Sequence, residues 1–173
     1  MRQLLFCPGP VNLSNSIKRT IIDHEIGHRE PEFSVILKSL NKKLLKLYRV
    51  KNTKEYRAVF ITGSGTAANE SILSSIGHKY ITIVTNGEFG ERLYEISKIH
   101  NPYTKILRFK WGEKIDPKTV EAYLKTNKVE ALGIVHHETS IGMLNPIKEI
   151  GKLTKKYNKL FIVDTVSSAG AEK

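Results

Sequence analysis

The chain has 173 residues, 40% of them hydrophobic and 26% charged, which is enough for one domain with a substantial core. No apolar run approaches the ~20 residues that a membrane-spanning helix needs, and the single cysteine, Cys7, excludes an internal disulfide and a CxxC metal site. The formal net charge of +11 comes from dispersed lysines rather than from a basic stripe interleaved with aromatic residues, so we expect no nucleic-acid partner and no membrane partner. These features predict a cytoplasmic protein whose basic surface attracts small anions.

The first predicted elements are a helix and a strand. Apolar residues recur every three or four positions between residues 32 and 48, which predicts an amphipathic helix. These residues are Phe33, Ile36, Leu37, Leu40, Leu44 and Leu47. The apolar run Val59-Phe60-Ile61 then predicts a strand that leads into Gly63-Ser64-Gly65 and a helix to about Ile76.

Four further apolar runs alternate with helical segments in the rest of the chain. The predicted strands cover residues 80–84, 105–109, 131–135 and 160–163, and the predicted helices cover residues 86–99, 116–125 and 146–157. Asp116 followed by Pro117 is a typical helix start. Short, nearly all-apolar strands separated by helices indicate a parallel sheet covered on both faces. The predicted fold class is therefore α/β, a three-layer α/β/α sandwich with a mostly parallel sheet, in which ligands bind at the carboxyl ends of the strands.

The segment after the first predicted strand is suited to an anion. Gly63 and Gly65 let backbone amides approach a ligand closely, and the following helix directs the positive end of its dipole to the same place. Ser64 and Thr66 add hydroxyl groups, so phosphate is the ligand we expect. A plain tight turn is an equally open interpretation, and the segment is not a P-loop, because the Lys and Ser/Thr pair of that motif is absent.

Two other strand ends carry an aromatic residue and a histidine pair. Phe89 lies between two glycines after the second strand, and it either stacks on a planar ligand or packs in the core. His136 and His137 follow the fourth strand. Adjacent residues of an extended chain point to opposite faces, so we expect no metal site there.

Polar residues reach the same edge at residues 138–140 and at Asp164. Asp164 follows a buried apolar strand, and a desolvated carboxylate needs a partner, either in the next segment or on a cationic ligand atom. A phosphate-binding loop, a stacking aromatic, hydroxyl donors and a buried carboxylate are together the parts needed to hold pyridoxal phosphate.

Several of these segments in register resemble class V aminotransferases of fold type I. The segments are Gly63-Ser64-Gly65-Thr66-Ala67-Ala68, Asn86-Gly87-Glu88-Phe89-Gly90-Glu91-Arg92 and His137-Glu138-Thr139-Ser140-Ile141-Gly142. The runs at residues 138–147 and 162–168 are similar to those of 2-aminoethylphosphonate–pyruvate transaminases in particular. Residues 7–12 also resemble the N-terminal active-site segment of the family.

The resemblance implies that five residues hold the phosphate group and the two faces of the ring of pyridoxal phosphate. Ser64, Gly65 and Thr66 would bind the phosphate group. Phe89 would stack on the pyridine ring, and Val166 would pack against its other face.

Two more residues would contact the ring by hydrogen bonds. Thr139 would bond to the ring hydroxyl oxygen, and Asp164 would pair with the pyridine nitrogen and keep it protonated. Residues 28–33 resemble a family segment near the active site, and a helix start with surface charges is the other open interpretation of this segment.

The resemblance also implies how the chain is organised. Residues 1–30 would be an N-terminal active-site segment and residues 31–173 part of the large cofactor-binding domain, with the small C-terminal domain absent. The lysine that forms the Schiff base would lie beyond Lys173, so no catalytic residue is expected in the chain, and the chain alone is expected to be inactive. The complete form is expected to be a homodimer.

The expected reaction moves the amino group of 2-aminoethylphosphonate to pyruvate, giving phosphonoacetaldehyde and alanine, as part of phosphonate metabolism. Two alternatives stay open. One is an alanine– or serine–glyoxylate aminotransferase, and the other is a non-catalytic fragment that binds pyridoxal phosphate or a partner chain.

Overall fold

The computed structural model describes residues 4–22 and 25–172. The chain divides into two compact units, Met1–Ile61 and Thr62–Lys173, which are described separately. Residues 1–3, 23, 24 and 173, which belong to the predicted segments 1–30 and 31–173, lie outside the described residues.

The first unit contains two helices, α1 (Asn15–Ile22) and α2 (Pro31–Leu47). The prediction of a helix over residues 32–48 is confirmed by α2, and α1 was not predicted. Pro31 occupies the first turn of α2, where the missing amide hydrogen has no intrahelical partner to lose. Leu45 is the buried residue of this helix.

The predicted strand at Val59-Phe60-Ile61 is wrong. The three residues belong to no strand, and their side chains are 79%, 45% and 43% exposed, respectively. A strand is stable only when a neighbouring strand satisfies its backbone groups. The described residues of the first unit contain no such neighbour.

The second unit alternates strands with helices. Its strands are β1 (Ile81–Thr85), β2 (Lys105–Arg108), β3 (Ala131–Val135), β4 (His137–Glu138), β5 (Met143–Leu144) and β6 (Leu160–Asp164). Its helices are α3 (Gly65–Ser75), α4 (Glu88–His100), α5 (Pro117–Thr126) and α6 (Ile147–Lys156). All eight elements predicted after Ile61, apart from shifts of one or two residues at their ends, are confirmed, and the short hairpin of β4 and β5 is an addition.

Four of the strands form one parallel sheet in the order β2-β1-β3-β6. Apolar side chains alternate between its two faces, as the period of a strand requires. On one face, β1 and β3 pack with α5 and α6 through Val84, Leu132, Ile134, Val120, Leu124 and Ile150. On the other face, they pack with α3 and α4 through Ile81, Ile83, Ala131, Val135, Leu73 and Leu93. The predicted three-layer α/β/α sandwich is therefore confirmed.

Burial explains why this sheet forms. Every residue of β1 and β3 is buried, and each fully buried Ile or Leu stabilises the fold by roughly 1.5–3 kcal/mol relative to an exposed one.

No helix in the described ranges 4–22 and 25–172 combines the length and the apolar character needed to cross a membrane.

Candidate functional site

The carboxyl ends of the neighbouring strands β1, β3 and β6 meet at one edge of the sheet. Val135 at the end of β3 lies opposite Asp164 at the end of β6. The amide of His136 donates to the carbonyl oxygen of Asp164 at 2.9 Å, which continues this pairing beyond the strand. The segments that follow the three strands, together with the start of α3, line this edge.

The start of α3 is open. Ser64 is the N-cap residue, and its side chain makes no capping hydrogen bond. The amides of Gly65 and Thr66 have no acceptor in the described part of the chain, whereas the amide of Ala67 donates to the Ser64 carbonyl at 2.9 Å. Free amide hydrogens at the positive end of a helix favour an anion.

Gly65 lies against the loop that follows β6. A Cβ atom added to Gly65 would lie 2.4 Å from Cγ2 of Val166, so a side chain at this position requires a shift of Val166. The predicted phosphate residues Ser64, Gly65 and Thr66 therefore lie beside Val166, which is 70% exposed. Gly63, with φ of 153°, adopts a backbone conformation that favours glycine just before the helix.

The carboxylate of Asp164 is held by two donors. Its Oδ2 accepts a hydrogen bond from Nδ2 of Asn69 at 2.7 Å, and its Oδ1 accepts one from the amide of Val166 at 2.9 Å. A carboxylate has about four acceptor sites, so two remain for a ligand. Sequence reasoning did not identify Asn69, which lies one turn into α3 from Gly65, where its side chain returns to the same edge.

Each histidine of the pair contacts a serine. Nδ1 of His136 lies 2.9 Å from the hydroxyl of Ser168, and Nδ1 of His137 lies 3.1 Å from the hydroxyl of Ser167. Burial lowers the pKa of His136 and favours its neutral form. These two contacts tie the segment after β3 to the loop that follows Asp164. Within residues 4–22 and 25–172, no three His, Cys, Asp or Glu side chains form a metal-binding group.

The start of α4 is closed by other residues of the chain. Glu138 is fully buried, and its Oε1 and Oε2 accept the amides of Phe89 at 3.2 Å and Gly90 at 2.9 Å, respectively. The hydroxyl of Ser140 accepts the amide of Glu88 at 3.1 Å and donates to Oε1 of Glu138 at 2.6 Å. Three successive amides of α4 therefore already have acceptors.

Phe89 and Thr139 are the two predicted site residues in this second group. The side chain of Phe89 is 39% exposed, so it does not pack in the core. Thr139 lies between Glu138 and Ser140 and is half-buried, and its hydroxyl makes no hydrogen bond to a described residue. Both side chains are thus available to a ligand at the edge.

A buried pair of amide side chains fixes the two chain segments beneath this group. Asn86 donates to Oδ1 of Asn145 at 2.9 Å, and Asn145 donates back to Oδ1 of Asn86 at 3.1 Å. Asn145 also donates to the carbonyl oxygen of Val135 at 2.9 Å. The turn after β1, the end of β3 and the β4–β5 hairpin are therefore joined by hydrogen bonds. No local pattern in the sequence distinguishes these asparagines from ordinary turn residues.

The structure thus gathers the predicted residues in two groups at one edge. Ser64, Gly65, Thr66, Asp164 and Val166 form the first group, and Phe89 and Thr139 form the second. An arrangement of this kind can bind an anion at α3, a cationic nitrogen at Asp164 and a flat apolar ring between them.

Comparison with known proteins places this chain in a family. The family model "Aminotransferase class-V" matches residues 17–173. An uncharacterized aminotransferase of Methanocaldococcus jannaschii is 39% identical, over 99% of this chain and 44% of that protein. A 2-aminoethylphosphonate–pyruvate transaminase of Phocaeicola vulgatus is 34% identical, over 96% of this chain and 47% of that protein. The chain thus spans about half the length of these curated relatives.

A solved structure agrees with the sequence matches. The crystal structure of ureidoglycine–glyoxylate aminotransferase from Bacillus subtilis superposes with a TM-score of 0.85 at 30% identity. The superposition covers 94% of this chain and 42% of that one. With a family model that matches most of its residues, the chain belongs to the class-V aminotransferases, a family whose cofactor is pyridoxal phosphate.

Proposed function

We propose that the protein is a pyridoxal-phosphate-dependent aminotransferase that transfers the amino group of 2-aminoethylphosphonate to pyruvate. The observation that carries the proposal is the open start of α3 beside the partly free carboxylate of Asp164, in a chain of the class-V family. When bound, the cofactor supplies an electron sink for the carbon atom that loses its proton. The residues of this chain bind and orient it.

The start of α3 fits the phosphate group. The free amides of Gly65 and Thr66 and the hydroxyls of Ser64 and Thr66 are the donors that a phosphate accepts from. Gly65 lets the helix start lie against Val166 without a clash. A helix N-terminus also contributes partial positive charge, which offsets the charge of the phosphate.

Asp164 fits a protonated ring nitrogen. Asn69 and the amide of Val166 fix the direction of the carboxylate and leave acceptor sites unused. A carboxylate next to the ring nitrogen favours the protonated form, which strengthens the electron sink. The proposed role of Asp164 is therefore to hold a proton on that nitrogen.

The remaining proposed contacts orient the ring. Phe89 and Val166 both expose apolar surface and would cover the two faces of a flat ligand. The hydroxyl of Thr139 has no described protein partner and would bond to the hydroxyl oxygen of the ring. Together these contacts would exclude water from both faces.

The choice of substrates rests on similarity. The Phocaeicola vulgatus relative is named as a 2-aminoethylphosphonate–pyruvate transaminase. The run at residues 138–147 resembles that of such transaminases. A second candidate is transfer to glyoxylate, because the Bacillus subtilis structure is of a glyoxylate aminotransferase. We also propose that the protein acts in the cytoplasm, as its composition suggests, and as a homodimer, as its family resemblance implies.

Substrate assays distinguish these candidates. The assay uses a protein that contains this chain and spans the length of its relatives, loaded with pyridoxal phosphate. We expect 2-aminoethylphosphonate with pyruvate to give the highest kcat/KM, whereas a preference for serine or alanine with glyoxylate would favour the second candidate. Cofactor binding without turnover of any pair would favour a non-catalytic protein.

A further inference from the structure

We infer that Glu138 is a positioning residue that holds the ring-stacking Phe89 and the hydroxyl of Thr139 in one fixed arrangement. The inference rests on the proposed function, because it concerns how the cofactor ring is held. Glu138 touches neither substrate nor cofactor in this account. It acts through the backbone of the start of α4 and through its own neighbour in the chain, Thr139.

The contacts of Glu138 explain the role. Its two carboxylate oxygens accept the amides of Phe89 and Gly90, so the carboxylate fixes the backbone from which the Phe89 side chain projects. Glu138 also belongs to β4 and is directly followed by Thr139. One buried group therefore connects the start of α4 to the segment that carries the hydroxyl.

A carboxylate is the group that this position requires. Glu138 is fully buried, and a buried charge is tolerated only when hydrogen bonds and local dipoles compensate it. Here two amides of a helix start and the Ser140 hydroxyl provide that compensation. A glutamine has the same shape but places an amide hydrogen against a backbone amide hydrogen, which breaks one of the two contacts.

Gly87 makes room for this arrangement. A Cβ atom added to Gly87 would lie 2.5 Å from Cγ of Glu138 and 2.8 Å from the hydroxyl of Ser140. The backbone before α4 thus lies as close to Glu138 as a glycine permits. The close approach also shields the carboxylate from water, which strengthens its hydrogen bonds.

Glu138 also affects which helix start can bind an external anion. Because Glu138 and Ser140 already accept the first amides of α4, the chain itself supplies the negative charge at that helix start. An external phosphate therefore finds free amides at α3 and none at the first three positions of α4. Glu138 in this way contributes to the orientation of the cofactor as well as to the position of Phe89.

The test compares Glu138→Gln with a matched control, Asp116→Ala. Asp116 also caps a helix with a carboxylate, since it accepts the amides of Lys118 and Thr119 at the start of α5. Both variants therefore weaken a carboxylate cap at a helix start, one in the proposed ring site and one on a different helix. Ser140→Ala serves as a milder second variant in case Glu138→Gln does not fold.

Two readouts are measured on the protein in the presence and absence of pyridoxal phosphate. Hydrogen exchange of the segments 86–92 and 137–141 reports whether the two are coupled. The dissociation constant and the induced circular dichroism of pyridoxal phosphate report whether the ring is held. We expect Glu138→Gln to speed exchange in both segments, to weaken cofactor binding about tenfold or more and to reduce the dichroic signal. Ser140→Ala should act in the same direction with a smaller effect, and Asp116→Ala should leave both readouts unchanged.

Several results would overturn the inference. Wild-type affinity and dichroism in Glu138→Gln, or in Ser140→Ala if only that variant folds, would show that the ring does not depend on Glu138. Equal losses in Asp116→Ala would show a general effect of stability. Unchanged exchange of the two segments would rule out the coupling even if the wild-type protein failed to bind pyridoxal phosphate, and that failure itself would contradict the proposed function.

Discussion

The starts of α3 and α4 lie at the same edge of one sheet, and each follows a turn that contains glycine. At α4, Glu138 and Ser140 accept the first three amides, so the helix start is satisfied from within the chain. At α3, the amides of Gly65 and Thr66 have no acceptor among the described residues. Two similar stretches of sequence thus differ in whether they can bind an anion. A tertiary contact, and not the local sequence, decides whether a helix start remains open.

The largest expected effect is at Asp164, the carboxylate beside the open start of α3. Asp164→Asn should reduce transamination by at least roughly a hundredfold, because an amide does not hold a proton on the ring nitrogen as a carboxylate does. Steady-state kinetics of the cofactor-loaded protein measure this, with cofactor binding followed separately. Asn69→Ala, which removes one donor to Asp164, should have a smaller effect on kcat. Turnover close to wild type in Asp164→Asn would contradict the assignment.

A second variant tests the open helix start itself. Gly65→Ala should shift α3 away from Val166 at a cost of about 1–3 kcal/mol, because the new Cβ atom would lie 2.4 Å from Cγ2 of Val166. We expect weaker binding of pyridoxal phosphate in a fluorescence titration. In the double variant Gly65→Ala/Val166→Ala, the loss of affinity relative to Val166→Ala alone should be smaller than the loss that Gly65→Ala causes in the wild-type protein. Unchanged affinity in Gly65→Ala would mean that the phosphate is held elsewhere.

Much of the fold was predictable because β1 and β3 are fully buried and consist mainly of apolar and β-branched residues, a composition that indicates a strand without knowledge of its neighbours. Val59-Phe60-Ile61 has the same character but no strand beside it in its own unit, and an apolar run alone does not reveal a missing partner. The β4–β5 hairpin, with two residues in each strand, is too short to leave an alternating pattern.

The site was predictable only in its outline. Residues next to strand ends, such as Thr66 and Asp164, could be proposed from position and from the family resemblance. The role of Asn69 depends on a contact with a residue 95 positions away in the chain, and that of Glu138 on contacts with residues about 50 positions away. No local pattern encodes such contacts. A glutamate three residues beyond Val135, the end of a buried strand, is the signal that could have identified Glu138.

A smaller effect is expected at a capped helix away from the site. Asp116→Ala should lower the free energy of unfolding slightly, because the amides of Lys118 and Thr119 lose their acceptor. Chemical denaturation measures this loss. Substitution by asparagine, which also caps helices, should cost less. No change in Asp116→Ala would indicate that the cap contributes nothing to stability.

The smallest expected effect concerns pH. Burial lowers the pKa of His136, and the nearby charges of His137 and Lys148 act in the same direction while Glu172 opposes them. Below about pH 6.5 the unfolded state therefore takes up a proton on this histidine before the folded state does, and stability falls as the pH falls. His136→Gln should flatten this part of the profile in denaturation experiments at several pH values. A profile identical to that of the wild type would exclude His136 as its source.

The contrast between the two helix starts is tested most directly by a crystal structure of the protein with pyridoxal phosphate. The account predicts that the phosphate group lies against the amides of Gly65 and Thr66, with the ring nitrogen at Asp164 and the side chain of Phe89 on the ring. It also predicts that Glu138 still accepts the amides of Phe89 and Gly90. A phosphate bound at the start of α4 with Glu138 displaced, or a ring nitrogen far from Asp164, would contradict it.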